Sequence, residues 1–156
     1  MNTTTNQNEL LPDDVDALLM RAIVYLNQDR FDDAIRDATR ALELEPDHAR
    51  ALRIRADAYR MQKRYDEALQ DYTRILAHRP DDVTALTWRA NVYWNQDRFD
   101  EAIRDATRAL ELKPDNVDAL RTRLVAYIMQ ERFDDAMRDV TRIKELEPDR
   151  FVRKTK

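Results

Sequence analysis

The chain has 156 residues, of which 43% are hydrophobic and 37% are charged, and its formal net charge at pH 7 is −4. This length suits one domain with a buried core, and the weak negative charge does not favour a nucleic-acid-binding surface, which is usually basic. The sequence contains no glycine and no cysteine, which excludes glycine-rich phosphate loops, disulfides and thiolate metal sites.

The amino-terminal segment, residues 1–14, is polar and lacks the basic and apolar blocks of a secretion signal. We expect residues 1–14 to form a polar leader, of which residues 1–9 are disordered. No apolar run in the sequence approaches the length of a membrane span. We therefore expect no membrane insertion and, by elimination, a cytoplasmic protein.

The remainder of the chain has a period of 34 residues, which is the spacing of all five prolines. The prolines are Pro12, Pro46, Pro80, Pro114 and Pro148. A period of this length is typical of stacked structural units. We predict four repeats, followed by a short basic tail at residues 151–156. The repeats are residues 15–48, 49–82, 83–116 and 117–150.

The first repeat shows the predicted elements. Apolar residues recur at helical spacing from Leu18 to Tyr25 and again from Phe31 to Leu42. The polar residues between these blocks predict a short turn, and the proline after the second block marks a helix end. Such a helix hairpin buries its apolar faces only by stacking on its neighbours. We expect the aspartate after each proline to cap the next helix. These aspartates are Asp47, Asp81, Asp115 and Asp149.

Every repeat has tyrosine at position 11 and alanine at position 20, counted from the start of the repeat. The tyrosines are Tyr25, Tyr59, Tyr93 and Tyr127, and the alanines are Ala34, Ala68, Ala102 and Ala136. Together with the proline at position 32, this pattern resembles the tetratricopeptide repeat family, although position 4 holds leucine where the family usually has tryptophan. The resemblance covers residues 15–150.

The resemblance implies an all-α fold, a right-handed α-solenoid of four helix-turn-helix repeats of 34 residues. It also implies a concave groove, lined by the first helix of each repeat, that binds a peptide segment or a helix of a partner protein. On this basis we predict a protein-interaction scaffold and not an enzyme.

Arginine at position 7 and aspartate at position 23 recur together in all four repeats. The arginines could form a basic stripe for an anionic partner, but we favour structural ion pairs because the two residues repeat in step. The arginines are Arg21, Arg55, Arg89 and Arg123, and the aspartates are Asp37, Asp71, Asp105 and Asp139.

Other polar residues give little support to catalysis or metal binding. Each second helix begins with a pair of acidic residues, which suits the positive end of the helix dipole, and four equal copies are unusual for a catalytic site. His48 and His78 have no recognisable ligand spacing. We predict no metal site and no cofactor.

Repeats 1 and 3 are nearly identical and differ at eight of 34 positions. Five of these differences fall in the first helix, at positions 2, 5, 6, 9 and 12, within an arc of about 120°. We interpret this arc as a diversified binding face. The predicted partner-binding residues are Leu19, Ile23, Leu26, Arg50, Arg53, Asp57, Arg60, Thr87, Trp88, Asn91, Trp94, Arg121, Val125 and Ile128.

These residues predict a partner with apolar anchors and some acidic residues, since tryptophan and arginine often dominate binding energy. Trp94 is the first choice for an anchor. Packing between neighbouring first helices is the alternative for both tryptophans, and a solvated face is the alternative for the arginines of the second repeat.

Two further hypotheses remain open. The chain could self-associate as a homodimer through incompletely capped terminal repeats, using the apolar residues of repeat 1 or those of repeat 4. The repeat-4 residues are Leu124, Val140 and Ile143. The regularity of the repeats and the lack of glycine also suit an engineered array.

Overall fold

The computed structural model describes residues 14–148, and all regular structure in that range is helical. The helices are α1 (Val15–Asn27), α2 (Phe31–Leu44), α3 (Ala49–Met61), α4 (Tyr65–His78), α5 (Val83–Asn95), α6 (Phe99–Leu112), α7 (Val117–Met129) and α8 (Phe133–Leu146). The predicted all-α fold with two helices in each repeat is confirmed. The predicted leader lies outside the described residues except for Asp14, and the basic tail lies entirely outside them. No described helix is long and apolar enough to cross a membrane.

The chain forms two compact units, Met1–Arg64 and Tyr65–Lys156, called unit 1 and unit 2 below. The boundary lies between α3 and α4, inside the second repeat. In unit 1, α1 contacts both α2 and α3, and α2 contacts α3. In unit 2, α5 contacts α4, α6 and α7, while α7 contacts α6 and α8. Each repeat of such an array contacts only the neighbouring repeats, so the contacts of the chain can divide at a point that is not a repeat boundary.

The turns within the repeats are Schellman motifs built without glycine. In repeat 1 the N–H of Arg30 donates to the carbonyl of Tyr25 at 2.9 Å, and the N–H of Asp29 donates to the carbonyl of Leu26 at 3.1 Å. Asp29 has a φ of 56°, in the left-handed region that glycine usually occupies at this point of a helix. The equivalent residues are Lys63 (60°), Asp97 (58°) and Glu131 (59°).

The predicted helix caps are wrong by one residue. The capping side chains accept the N–H of the third helical residue, and they stand at position 34 of the repeat instead of position 33. They are Asp14, His48, Asp82 and Asn116. The predicted residues Asp47, Asp81 and Asp115 are exposed one residue earlier, and Asp149 lies outside the described range. The helix begins at position 1 of each repeat, so position 34 directly precedes it and has the extended backbone of a cap.

Candidate functional site

The scaffold behind the candidate site is held by arginine–aspartate pairs between the two helices of a repeat. The Nη2 of Arg21 lies 2.9 Å from the Oδ1 of Asp37, and the equivalent distances are 3.0 Å for Arg89–Asp105 and 2.6 Å for Arg123–Asp139. All three aspartates are buried. These pairs confirm the predicted structural role, because half-buried guanidiniums tied to buried carboxylates of the same hairpin are not a basic stripe for a ligand.

The charge of these arginines is maintained despite burial. Burial opposes the charge of Arg89, but its hydrogen bond and attraction to Asp105 outweigh that effect and raise the pKa of the guanidinium. The hydrogen bond to Asp139 likewise raises the pKa of Arg123 against burial. Both arginines therefore remain cationic.

Two hydrogen bonds recur wherever one repeat meets the next within a unit. The arginine of position 7 donates to a threonine of the preceding repeat, as Arg55 does to Thr39 at 3.2 Å. The glutamine of position 14 donates to an aspartate of the preceding repeat, as Gln62 does to Asp32 at 2.7 Å. In unit 2 the same bonds are Arg89–Thr73, Arg123–Thr107, Gln96–Asp66 and Gln130–Asp100.

The paired acidic residues at the start of the second helices have structural partners. In repeats 1 to 3 the first member accepts a hydrogen bond from the glutamine just described. The second member pairs with the arginine before the helix, as Asp33 does with Arg30 and Glu101 with Arg98. These hydrogen bonds lower the pKa of Asp33 and of Glu101, whereas a general acid needs a raised pKa. Within residues 14–148 no cluster of histidine and acidic residues could hold a metal ion.

The predicted binding residues of unit 1 lie on α1 and α3, which are in contact. On α1, Ile23 and Leu26 are half-buried. On α3, Arg50 is exposed, and the other three predicted residues are half-buried. These three are Arg53, Asp57 and Arg60. The face therefore combines an apolar part on α1 with a largely cationic part on α3.

The predicted binding residues of unit 2 lie on α5 and α7, which are also in contact. The α5 residues, Trp88, Asn91 and Trp94, are all half-buried. Val125 on α7 is half-buried, and Ile128 is 46% exposed. This face is aromatic, aliphatic and amide-bearing.

Two predicted binding residues, Leu19 and Thr87, do not present an accessible surface. Both occupy position 5, and their exposed fractions are 0% and 3%. The Oγ1 of Thr87 accepts a hydrogen bond from the Nδ2 of Asn116 at 2.8 Å, which ties α5 to the cap of α7. Leu19 and Thr87 are therefore closed by packing within their units and do not offer a partner contact, whereas Arg53 and Arg121 at the same position are half-buried.

Arg121 is also less available than the sequence suggested. Its Nη2 lies 2.5 Å from a carboxylate oxygen of Glu147, and its Nη1 lies 4.0 Å from Asp118. These carboxylates compete with an acidic ligand for the guanidinium. Arg121 therefore contributes little net positive charge to the face of unit 2.

Trp94 and Asn91 offer different chemistry. The Nε1 of Trp94 is buried and has no hydrogen-bond partner among the described residues, so a ligand meets ring carbons instead of the indole N–H. The Oδ1 of Asn91 lies 3.4 Å from the Nδ2 of Asn95. This contact turns the Nδ2 donor of Asn91 away from Asn95.

Two equivalent cavities lie beside the first helices of repeats 1 and 3. The cavity in unit 2, of about 260 Å³, is lined by Val83, Thr84, Thr87, Trp88, Lys113, Asn116 and Asp118. The cavity in unit 1, of about 560 Å³, is lined by Asp14, Val15, Asp16, Leu44, Glu45 and His48.

Lys113 and Glu45 are not among the binding residues predicted from the sequence. The available signal was that positions 2, 31 and 34 are among the eight differences between repeats 1 and 3, and all three positions line both cavities. The first cavity has Glu45 where the second has Lys113, which reverses the charge at that position of the lining. The two units therefore present cavities of different charge on the same scaffold.

Comparisons with known proteins give the family and the fold. Two family models, each described as tetratricopeptide repeat, match residues 19–83 and 83–116. No curated protein matches the sequence. Among solved structures, "Crystal structure of MamA" has a TM-score of 0.82 at 23% identity and covers 89% of this chain and 81% of that chain. "MamA 41-end from Desulfovibrio magneticus RS-1" also has a TM-score of 0.82, at 20% identity, with coverage of 90% of this chain and 79% of that chain. At these identities the likeness shows the fold alone.

Proposed function

The chain belongs to the tetratricopeptide repeat family, and we propose that it is an interaction scaffold that binds a peptide segment or a helix of a partner protein on the first-helix faces of its units. In unit 1 this face lies on α1 and α3, and in unit 2 it lies on α5 and α7.

The observation that carries the proposal is the uneven distribution of differences between repeats 1 and 3. Four of the eight differing positions, 2, 6, 9 and 12, lie on the first helix and are exposed or half-buried in both copies. Core positions 4, 8 and 11 are identical in the two copies. Differences without a function would be scattered over the exposed positions of both helices, whereas a binding face concentrates them.

The face of unit 2 suits an apolar anchor on an extended or helical segment. Trp88 and the ring carbons of Trp94 offer aromatic surface, and Val125 on the neighbouring helix offers an aliphatic contact. Asn91 has an amide donor directed away from its neighbour on α5, and such a donor suits a backbone carbonyl of the ligand. Aromatic anchors of this kind are frequent hot spots in interfaces.

The face of unit 1 suits a segment with acidic residues. Arg50 is exposed and Arg53 is half-buried on α3, and the contacting helix α1 carries half-buried apolar side chains. Arginine pairs well with carboxylates because its planar guanidinium donates two parallel hydrogen bonds. We therefore expect acidic and apolar residues together in the segment that unit 1 binds.

The two tryptophans allow a direct test, because Trp88 and Trp94 are the only two in the chain and both lie on α5. Peptides without tryptophan are selected from a displayed random library against the intact chain, and binding is followed by tryptophan emission. We expect the emission to change on titration, and we expect Val125→Asp to weaken binding at least about tenfold, which is about 1.4 kcal/mol.

Two further variants make the test specific. Asn91→Ala removes the amide donor, and we expect weaker binding with an unchanged melting temperature. Arg104→Ala changes an exposed residue of the second helix α6, and we expect it to bind as the parent does. Peptides that leave the emission unchanged and bind Val125→Asp as well as the parent would refute the proposed site in unit 2.

A further inference from the structure

Helix α8 exposes an apolar face that is covered in the equivalent helices of the other repeats. Phe133 is 60% exposed and Met137 is 57% exposed, whereas the residues at the same two positions of repeats 1 to 3 are half-buried. Val140 is half-buried, whereas position 24 is fully buried in each of the other repeats. The covered equivalents are Phe31, Ile35, Ala38, Tyr65, Leu69, Tyr72, Phe99, Ile103 and Ala106.

Helix α1 exposes the complementary face. Val24, at position 10, is 50% exposed, whereas Val92 at the same position of repeat 3 is completely buried. The alanines at this position of repeats 2 and 4, Ala58 and Ala126, are also completely buried. Position 10 is therefore covered by packing in repeats 2 to 4 and is open to solvent in repeat 1.

A polar hydrogen bond of the repeat junctions also has its two partners on the first and last repeats. At the three repeat junctions within the units, the glutamine of position 14 donates to the aspartate of position 18 of the preceding repeat, at 2.7–2.8 Å. Gln28 is the position-14 residue of repeat 1, and Asp134 is the position-18 residue of repeat 4. Both are exposed and make no such bond within residues 14–148.

We propose that α8 of one copy of this chain docks against α1 of a second copy and reproduces a repeat junction between molecules. Val24 of the second copy packs on Val140 between Phe133 and Met137, and its Gln28 donates to Asp134. We identify the occupant as a second copy because one chain carries both faces of the contact, one on repeat 1 and one on repeat 4. Each face has the apolar and polar residues that form the junctions between repeats inside the molecule.

This contact is heterologous, since each copy uses two different faces. A head-to-tail contact leaves one α1 face and one α8 face open on every dimer, so association continues to longer assemblies or to a ring. It thus differs from the homodimer considered from the sequence. One residue expected there, Ile143, is only 5% exposed and is not available to a second chain.

The test begins with sedimentation velocity of the full chain from about 10 µM to about 1 mM, a range suited to a contact of modest area. We expect the mean sedimentation coefficient to rise with concentration. Phe133→Asp and Val24→Asp each place a carboxylate in the apolar contact, and each should weaken self-association at least about tenfold. Leu112→Asp changes an exposed leucine of α6 outside both faces and should associate as the parent does.

Mixing the two variants distinguishes the possible contacts. The Phe133→Asp chain retains its α1 face and the Val24→Asp chain retains its α8 face, so an equimolar mixture should form a one-to-one heterodimer that does not grow further. Circular dichroism of each variant alone checks that the helices remain folded.

Two results would overturn the proposal. One is a parent chain that stays monomeric throughout the concentration range. The other is self-association that is weakened by only one of the two variants and is not restored by mixing, which indicates a symmetric contact through a single face. The variants leave the predicted peptide-binding residues unchanged, so failure here is independent of the proposed peptide binding.

Discussion

The positive-φ residue Glu131, in the turn after α7, gives a direct test of backbone strain. Its φ is 59°, and the Schellman bond from the N–H of Arg132 to the carbonyl of Tyr127, at 2.9 Å, fixes the turn around it. Its side chain is exposed. We expect Glu131→Gly to stabilise the chain because glycine has no β-carbon to clash in the left-handed region.

The size of this effect is a difference between two terms. A β-carbon in the left-handed region costs about 1–2 kcal/mol, and the extra freedom of glycine in the unfolded chain costs about 0.5–1 kcal/mol. The net gain is therefore up to about 1.5 kcal/mol, with a central value of about 0.75 kcal/mol, which for a chain of this size raises the melting temperature by up to about 6 °C. Lys63→Gly should gain a similar amount, whereas glycine at Asp29 or Asp97 should gain less because aspartate tolerates this region.

Urea denaturation followed by circular dichroism measures the change, and Glu131→Ala is the matched control. Alanine keeps the β-carbon but loses the carboxylate, which is unfavourable near the negative end of α7. The difference between the glycine and alanine variants therefore isolates the β-carbon. A glycine variant no more stable than the alanine variant would refute the strain argument.

Three other predictions concern the ion pairs, the caps and acid stability. Asp105→Ala removes the partner of a largely buried arginine and should lower the free energy of unfolding by about 3 kcal/mol, measured by thermal or urea denaturation. Glu101→Ala breaks a more exposed pair and should lower it by at most about 1 kcal/mol. Equal losses would contradict the burial argument. Asn116→Ala removes a helix cap and should lower the free energy of unfolding by about 1–2 kcal/mol. Asp115→Ala changes the preceding residue, which does not cap the helix, and should have little effect. The pKa of Asp33 is lowered by its arginine partners, so its contribution to stability is present above the ordinary carboxyl pKa of about 4 and is lost as the pH falls through the lowered value. Stability measured against pH should therefore fall less steeply below about pH 4 in Asp33→Asn than in the parent, and identical profiles would contradict this assignment.

The sequence predicted the ion-pair partners well because each pair joins two helices of one repeat. The spacing of sixteen residues between Arg21 and Asp37 recurs in every copy, and a hairpin brings residues at such a spacing together whatever surrounds it. The caps were harder to place, because aspartate stands at position 33 in every repeat while the capping residue changes from aspartate to histidine or asparagine. Only the backbone conformation distinguishes the two positions.

The candidate site was predicted in part. The arc of variable positions on the first helix is a local property, but the burial of Leu19 and Thr87 within that arc is not. Thr87 is closed by Asn116, which lies 29 residues later in the chain, and no pattern within α5 carries that information. The charged rims of the two cavities were missed for the same reason, since position 31 meets position 2 only after the hairpin has folded.

The sequence by itself determined the helices, their period and the faces that each must bury, because helical spacing and capping depend on nearby residues. The tertiary structure alone decided which equivalent positions are open. Val24 and Val92 occupy the same position of nearly identical repeats, yet the first is 50% exposed and the second is fully buried. Their own helices are alike, so the difference comes from what packs against them, and that neighbour is not encoded in the local pattern.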